Sequence, residues 1–135
     1  MPTWLAVEDE SDLYMVLLGM FEIWGIGGVY FEDGAEAMDW LNKVDNGTFA
    51  GQLPELALLD IRLPHYTGVD IALRIRRSPR LANIAIVLMT AYLMNEQEEN
   101  KMLNLCQADV LIYKPLPELA KFRSILESTI AQRRL

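Results

Sequence analysis

The stretch Leu56-Ala57-Leu58-Leu59 is apolar at every position and runs straight into an acid, Asp60. A strand with one wet face alternates apolar and polar residues, whereas a run that is apolar on both parities suits a strand buried on both faces. Strands of that kind belong to parallel sheets with helices packed on each side. The pattern recurs along the chain. Trp4-Leu5-Ala6-Val7 stops at Glu8, Asp9 and Glu10, and Val29-Tyr30-Phe31 is closed by Asp33-Gly34. Ile84 to Met89 ends at Thr90, and Val110-Leu111-Ile112-Tyr113 ends at Lys114-Pro115.

Between these runs the apolar residues fall at helical spacing. Leu13, Val16, Leu17, Met20, Phe21 and Trp24 make one helical face, with Gly25, Gly27 and Gly28 marking its end. Ala37, Met38, Leu41 and Val44 predict a second helix that ends near Asn46-Gly47. Val69, Ile71, Ala72, Leu73 and Ile75 predict a third, halted near Pro79. Asn95 with Glu98 three residues on is a capping-box variant that opens a fourth. Pro117 suits the first turn of a fifth, which buries Leu119, Phe122, Ile125, Leu126 and Ile130. Arg133 and Arg134 fall where a helix C-terminus favours positive charge.

Five strands alternating with five helices predict an α/β chain built on a doubly wound, five-stranded parallel sheet. With 135 residues the chain is long enough for one domain, residues 1–135, and too short for two. It shows no repeat, no low-complexity tract and no linker, and it ends on its fifth helix, so no attached output domain is expected.

Composition narrows the classes. Hydrophobic residues at 52% supply a core and exclude disorder. A net charge of −7 argues against direct nucleic-acid binding, which needs clustered Lys and Arg. Cys106 is the only cysteine, so no intrachain disulfide can form; it reads as a packing residue near a helix end. The lone thiol and the lack of a signal-peptide pattern fit a cytoplasmic protein. Val16 to Tyr30 is too short to span a bilayer and holds Glu22 and several glycines, so no membrane association is expected. The cluster Arg74, Arg76, Arg77 and Arg80 reads as a solvated helix face, the three Trp residues as core, Glu10 as a solvated acid opening the first helix, and His65 as a loop residue without a metal or base role.

In open parallel α/β sheets, ligands bind beyond the carboxyl ends of the strands, where the strand order reverses. The residues at those ends are Glu8, Asp9, Asp60, Thr90 and Lys114, so the fold gathers three carboxylates, a hydroxyl and an ammonium at one rim. Two carboxylates about 4 Å apart repel by roughly 4 kcal/mol at an effective dielectric of 20. Lys114 offsets one charge. The rest calls for a divalent cation or for an acid held protonated by a raised pKa. An all-oxygen donor set suits Mg²⁺, with Mn²⁺ as the alternative ion.

These motifs resemble those of the response-regulator receiver family, the CheY-like domains. The matching pieces are Val7-Glu8-Asp9-Glu10, Leu58-Leu59-Asp60-Ile61-Arg62-Leu63-Pro64 with Gly68, Met89-Thr90-Ala91, and Tyr113-Lys114-Pro115. The resemblance implies a flavodoxin-like (βα)5 fold with strand order 2-1-3-4-5. It implies a phosphoacceptor signalling protein of a two-component system or phosphorelay, not a conventional enzyme. Asp60 is then the phosphoacceptor, converted to a 4-aspartylphosphate. Asp9, Asp60 and the backbone carbonyl of Arg62 are then Mg²⁺ ligands, with Glu8 acting on the ion directly or through water. Thr90, Lys114 and the backbone N–H of Ala91 bind the phosphoryl group. The implied partners are a histidine kinase or histidine phosphotransfer protein and a downstream protein target. Contact, or homodimerisation, would use the face formed by the fourth helix, fifth strand and fifth helix.

Two positions depart from the usual family pattern. Glu8 stands where many receivers carry Asp. Leu111 stands where many carry an aromatic that moves with the Thr, so Tyr92 or Tyr113 is the candidate substitute. The resemblance also implies that Arg62 and Tyr92 occupy two positions that flank the phosphoryl site and modulate attack by water; both are bulky, which predicts a long-lived phosphoryl state. Three rivals remain for comparison. A pseudo-receiver would keep the fold as a phosphorylation-independent binding module. A haloacid-dehalogenase-like phosphohydrolase would need a second Asp at position 62, where this chain has Arg. A flavodoxin-like FMN carrier would meet repulsion from Glu8, Asp9 and Glu10.

Overall fold

A computed structural model describing residues 1–135 has five strands and five helices in strict alternation. The strands are β1 (Thr3–Val7), β2 (Gly27–Phe31), β3 (Leu56–Asp60), β4 (Ala85–Thr90) and β5 (Val110–Tyr113). The helices are α1 (Ser11–Trp24), α2 (Gly34–Asp45), α3 (Gly68–Arg76), α4 (Glu96–Cys106) and α5 (Leu119–Arg133). All strands run parallel in the order β2-β1-β3-β4-β5. The doubly wound sheet and the order implied by the family resemblance are both present.

Every residue of β1, β3 and β4 is buried. The reason lies in residue parity. Leu5, Val7, Ala57, Leu59, Ile86 and Leu88 face α2, α3 and Cys106 of α4. Trp4, Ala6, Leu56, Leu58, Ala85, Val87 and Met89 face α1 and α5. Each face therefore has its own apolar layer, and burying a side chain such as Leu58 contributes about 2 kcal/mol. Trp4, Trp24 and Trp40 are all buried in these layers, as is Cys106 at the end of α4. No helix is long and apolar enough to cross a membrane.

Local chemistry sets the helix ends. Gly25 takes a left-handed conformation (φ 73°) and closes α1, donating its N–H to Glu22. Asp33 caps α2 by accepting from the Ala35 N–H. Thr67 with Asp70 and Asn95 with Glu98 form reciprocal capping boxes on α3 and α4. The second of these is the one expected from the sequence.

Four expectations need correction. Leu119, expected among the buried residues of the fifth helix, is 40% exposed at the start of α5. Gly27 and Gly28 do not extend the turn after α1; they are strand residues of β2, and a Cβ on Gly27 would sit 3.2 Å from Thr3 Oγ1. Pro117 lies ahead of α5, because Glu118 is still extended (φ −61°, ψ 159°) and the helix starts at Leu119. The arginine cluster is not a solvated face. The Arg76 side chain is only 7% exposed and donates to the carbonyls of Gln107, Ala82 and Ile84 and to Asp109. Arg74 pairs with Asp45 at 2.6 Å, and Arg80 donates to the Val44 carbonyl. These acceptors come from other elements, so they outcompete water only once the fold is formed. Arg77 and Arg80 do remain exposed. Arg133 and Arg134, placed by the helix dipole in the sequence reading, also pair with Asp109 and Glu55.

Candidate functional site

The order of strands reverses between β1 and β3, so their following loops diverge and leave a crevice at their carboxyl ends. There Asp9, Glu10, Asp60, Arg62, Thr90, Ala91, Tyr92 and Lys114 line a cleft of about 470 Å³. Carboxylate oxygens of Glu8, Asp9 and Asp60 lie within 4.8 Å of one another. The cluster is graded in depth: Glu8 is fully buried, Asp60 is 5% exposed, and Asp9 opens to solvent.

Backbone geometry holds each group in place. Glu8 directly follows β1, where its N–H donates to the Phe31 carbonyl. Its Oε2 accepts from the Glu10 N–H at 3.1 Å. Asp60 ends β3, and its Oδ1 accepts from the Arg62 N–H at 3.3 Å. The Gly68 N–H then donates to the Ile61 carbonyl, and a Cβ on Gly68 would run into the Asp60 carbonyl. That close approach is the reason for glycine there. Thr90 and Lys114 are tied by the Lys114 N–H donating to the Thr90 carbonyl at 2.8 Å. The Thr90 hydroxyl accepts from the Tyr92 N–H at 3.1 Å.

Lys114 Nζ stands 2.8 Å from Glu8 Oε1 and 3.3 Å from Asp60 Oδ2. The second contact is a hydrogen bond. The first is an ionic contact off the hydrogen-bonding direction, so the buried Glu8 Oε1 has no hydrogen-bond donor. Burial pushes the Glu8 carboxyl up to about 7; Lys114 and the Glu10 N–H oppose the rise, and Asp60 adds to it. Asp9 is raised by partial burial and by Asp60. Burial works against the Lys114 ammonium, yet Glu8 and Asp60 outweigh it and raise its pKa.

Three carboxylates thus face one ammonium. A hard divalent cation fits this oxygen-only donor set, since it would balance the remaining charge.

The receiver-domain model of response regulators matches residues 5–126. The chain belongs to the response-regulator receiver family. It is 26% identical over 117 residues to the polar-differentiation response regulator DivK of Brucella anthropi, covering 86% of this chain and 87% of that protein. It is 36% identical over 88 residues to the regulatory protein FilR2 of Methanothrix harundinacea, covering 64% of this chain. It is 28% identical over 131 residues to the phosphate regulon transcriptional regulatory protein PhoB of Pseudomonas aeruginosa, covering 94% of this chain. These matches span 56% of FilR2 and 52% of PhoB, about half the length of either relative. Among solved structures, the receiver domain of a Pseudomonas aeruginosa sensor histidine kinase aligns with a TM-score of 0.78 at 24% identity, over 96% of this chain and 98% of that one. That protein holds a magnesium ion in its active-site cleft. Receivers as a class work in two-component signalling, interacting with histidine kinases and downstream targets.

Within this receiver, the structure brings together Glu8, Asp9, Asp60, Thr90 and Lys114. The Arg62 guanidinium lies over the Tyr92 ring, 5.3 Å from its centroid, at the rim of the cleft. Leu111 lies outside the cleft and packs against the apolar layer under α3 and α4. Tyr92 is 54% exposed. Tyr113 is half-buried, and its hydroxyl reaches Glu99 and Met94. The sequence reading missed the partner of His65, whose Nδ1 lies 2.9 Å from Asp33 Oδ2. That contact joins residues 32 apart, and no local pattern signals it.

Proposed function

We propose that Asp60 accepts a phosphoryl group from a phosphohistidine of a histidine kinase or histidine phosphotransfer protein. The observation that carries this reading is the cluster of buried Glu8 and Asp60 with solvent-facing Asp9, and Lys114 on Asp60 Oδ2. An Asp60 carboxylate oxygen bonds to phosphorus as the phosphorus–nitrogen bond breaks, and the electron pair of that bond stays on the departing imidazole nitrogen. The product is an acyl phosphate. Catalysis of such a transfer rests on positioning and charge stabilisation more than on covalent chemistry.

The Lys114 contact with Asp60 supports a role for its ammonium in pairing with phosphoryl oxygens as a point charge. The Thr90 hydroxyl, an acceptor for the Tyr92 N–H in the absence of a phosphoryl group, has its own proton to donate once it turns to the new group. Ala91 lines the same cleft, and on this reading its N–H would add a second donor. Glu8, Asp9, Asp60 and the Arg62 carbonyl would hold Mg²⁺, with Mn²⁺ as a substitute. When bound, the ion supplies charge neutralisation for the incoming phosphoryl oxygens. The added charge of about −1.5 to −2 then biases the loops after β3 and β4 and is read by a protein contact, for which the reading assigns the α4–β5–α5 face.

Borohydride reduction after incubation with acetyl phosphate and Mg²⁺ tests the assignment. It converts an aspartyl phosphate to homoserine, and peptide mapping should find that change at position 60. Homoserine at Asp9, or at no position, would contradict it.

A further inference from the structure

The loop between β4 and α4 hangs from two hydroxyls. Thr90 and Tyr113 are register partners across the β4–β5 pair. Thr90 Oγ1 holds the near end of the loop by accepting from the Tyr92 N–H at 3.1 Å. Tyr113 holds the far end: its phenol oxygen lies 3.3 Å from the Met94 nitrogen, 3.3 Å from the Met94 carbonyl and 2.7 Å from Glu99 Oε2. A phenol has one proton. The short bond to the Glu99 carboxylate takes it, and the Met94 N–H donates into a lone pair. Tyr113 thus ties the last loop residue and the first turn of α4 to the sheet. Asn95 and Glu98 stiffen the same turn through their capping box.

We propose that Tyr113 is the positioning residue of this loop, holding residues 91–94 and the start of α4 so that a movement of the Thr90 hydroxyl reaches α4. The inference rests on the phosphoacceptor reading of the cleft and extends it. When Thr90 Oγ1 turns toward a phosphoryl group on Asp60, the loop loses its near anchor. With the far anchor fixed, the displacement is carried into the first turn of α4. Without it, residues 91–94 absorb the displacement. Leu111 offers no polar atom for this purpose and packs in the apolar layer.

The test is amide hydrogen exchange on the whole chain and on Tyr113→Phe, which keeps the ring and removes the hydroxyl. Without any ligand, exchange across residues 94–99 should rise about tenfold in the variant, as loss of one charge-assisted hydrogen bond implies. With acetyl phosphate and Mg²⁺, exchange in the first turn of α4 should change in the parent and stay unchanged in Tyr113→Phe, while intact mass shows that both proteins are phosphorylated. Glu99→Gln, which keeps an acceptor for the phenol, should retain most of the parent response. Equal α4 responses in parent and Tyr113→Phe, both phosphorylated, would overturn the proposal. So would ligand-free exchange at residues 94–99 that ignores the hydroxyl. A parent that takes no phosphoryl group would instead sink the reading of Asp60, and the ligand-free comparison would still decide whether Tyr113 holds the loop.

Discussion

The Lys114 ammonium lies 2.8 Å from Oε1 of Glu8, a carboxylate with no exposed surface. This pair holds the floor of the cleft together, because Lys114 is the one cation in contact with both Glu8 and Asp60. Removing one partner of a buried pair leaves a charge without compensation. Lys114→Met should therefore destabilise the fold by about 3 kcal/mol in urea denaturation at pH 7.5 without divalent ions. Glu8 can take up a proton, which keeps the loss near the low end for buried pairs. Adding Mg²⁺ should restore part of the loss, since a cation bound only by the folded state stabilises it. A variant as stable as the parent would show that the cluster does not need Lys114.

Arg62 stacks over Tyr92 at the mouth of the cleft, with 5.3 Å between the guanidinium carbon and the ring centroid. On the phosphoacceptor reading, we propose that this pair shields a phosphoryl group on Asp60 from water. Arg62→Gly and Tyr92→Gly should each speed loss of the phosphoryl group about fivefold, the rate equivalent of about 1 kcal/mol of stacking. Because they act as one cover, the double variant should be little faster than either single one. Decay followed by intact mass after removal of the donor checks this. Additive effects would contradict a shared cover.

The strands were legible because their apolar runs fall on both parities, and the cleft because each run ends in a polar residue. The capping box of Asn95 and Glu98 was legible because it is local. Arg76 was not. Its acceptors at residues 82, 84, 107 and 109 belong to other elements, and a helix bearing Arg74, Arg76 and Arg77 looks solvated until those carbonyls arrive. Gly27 and Gly28 looked like a turn, since glycine in a strand is explained only by what packs against it. The depth of Glu8 was hidden for a related reason: an acid beside Asp9 shows no sign of burial until β1 and β3 are paired.

Arg76 carries a prediction of its own. Its guanidinium satisfies three carbonyls and the Asp109 carboxylate through a planar fork. An ammonium cannot reach all four, so Arg76→Lys should cost about 2 kcal/mol and Arg76→Ala about 3 kcal/mol in urea denaturation. A loss under about 0.5 kcal/mol, typical of exposed substitutions, would contradict the buried role.

Asp45 provides the pH dependence. Burial favours its protonated form, but hydrogen bonds from Ser78 and Arg74 and the charges of Arg74 and Arg80 outweigh it and hold its carboxyl below the usual range. A depressed carboxylate adds stability that is present above its unfolded pKa and is lost as pH falls through the folded one. Asp45→Asn should cost about 1 kcal/mol at neutral pH, the upper range for a partly exposed pair. The gap between parent and variant should hold steady down to about pH 4 and close below it. A gap that does not change with pH would assign the loss to packing.

The most direct measurement is intact mass after incubation with acetyl phosphate and Mg²⁺, beside Asp60→Asn and a Mg²⁺-free control. A single added phosphoryl group, absent from both controls, is the predicted result. An unmodified chain, under conditions that label another receiver, would contradict the central claim and leave a phosphorylation-independent binding module.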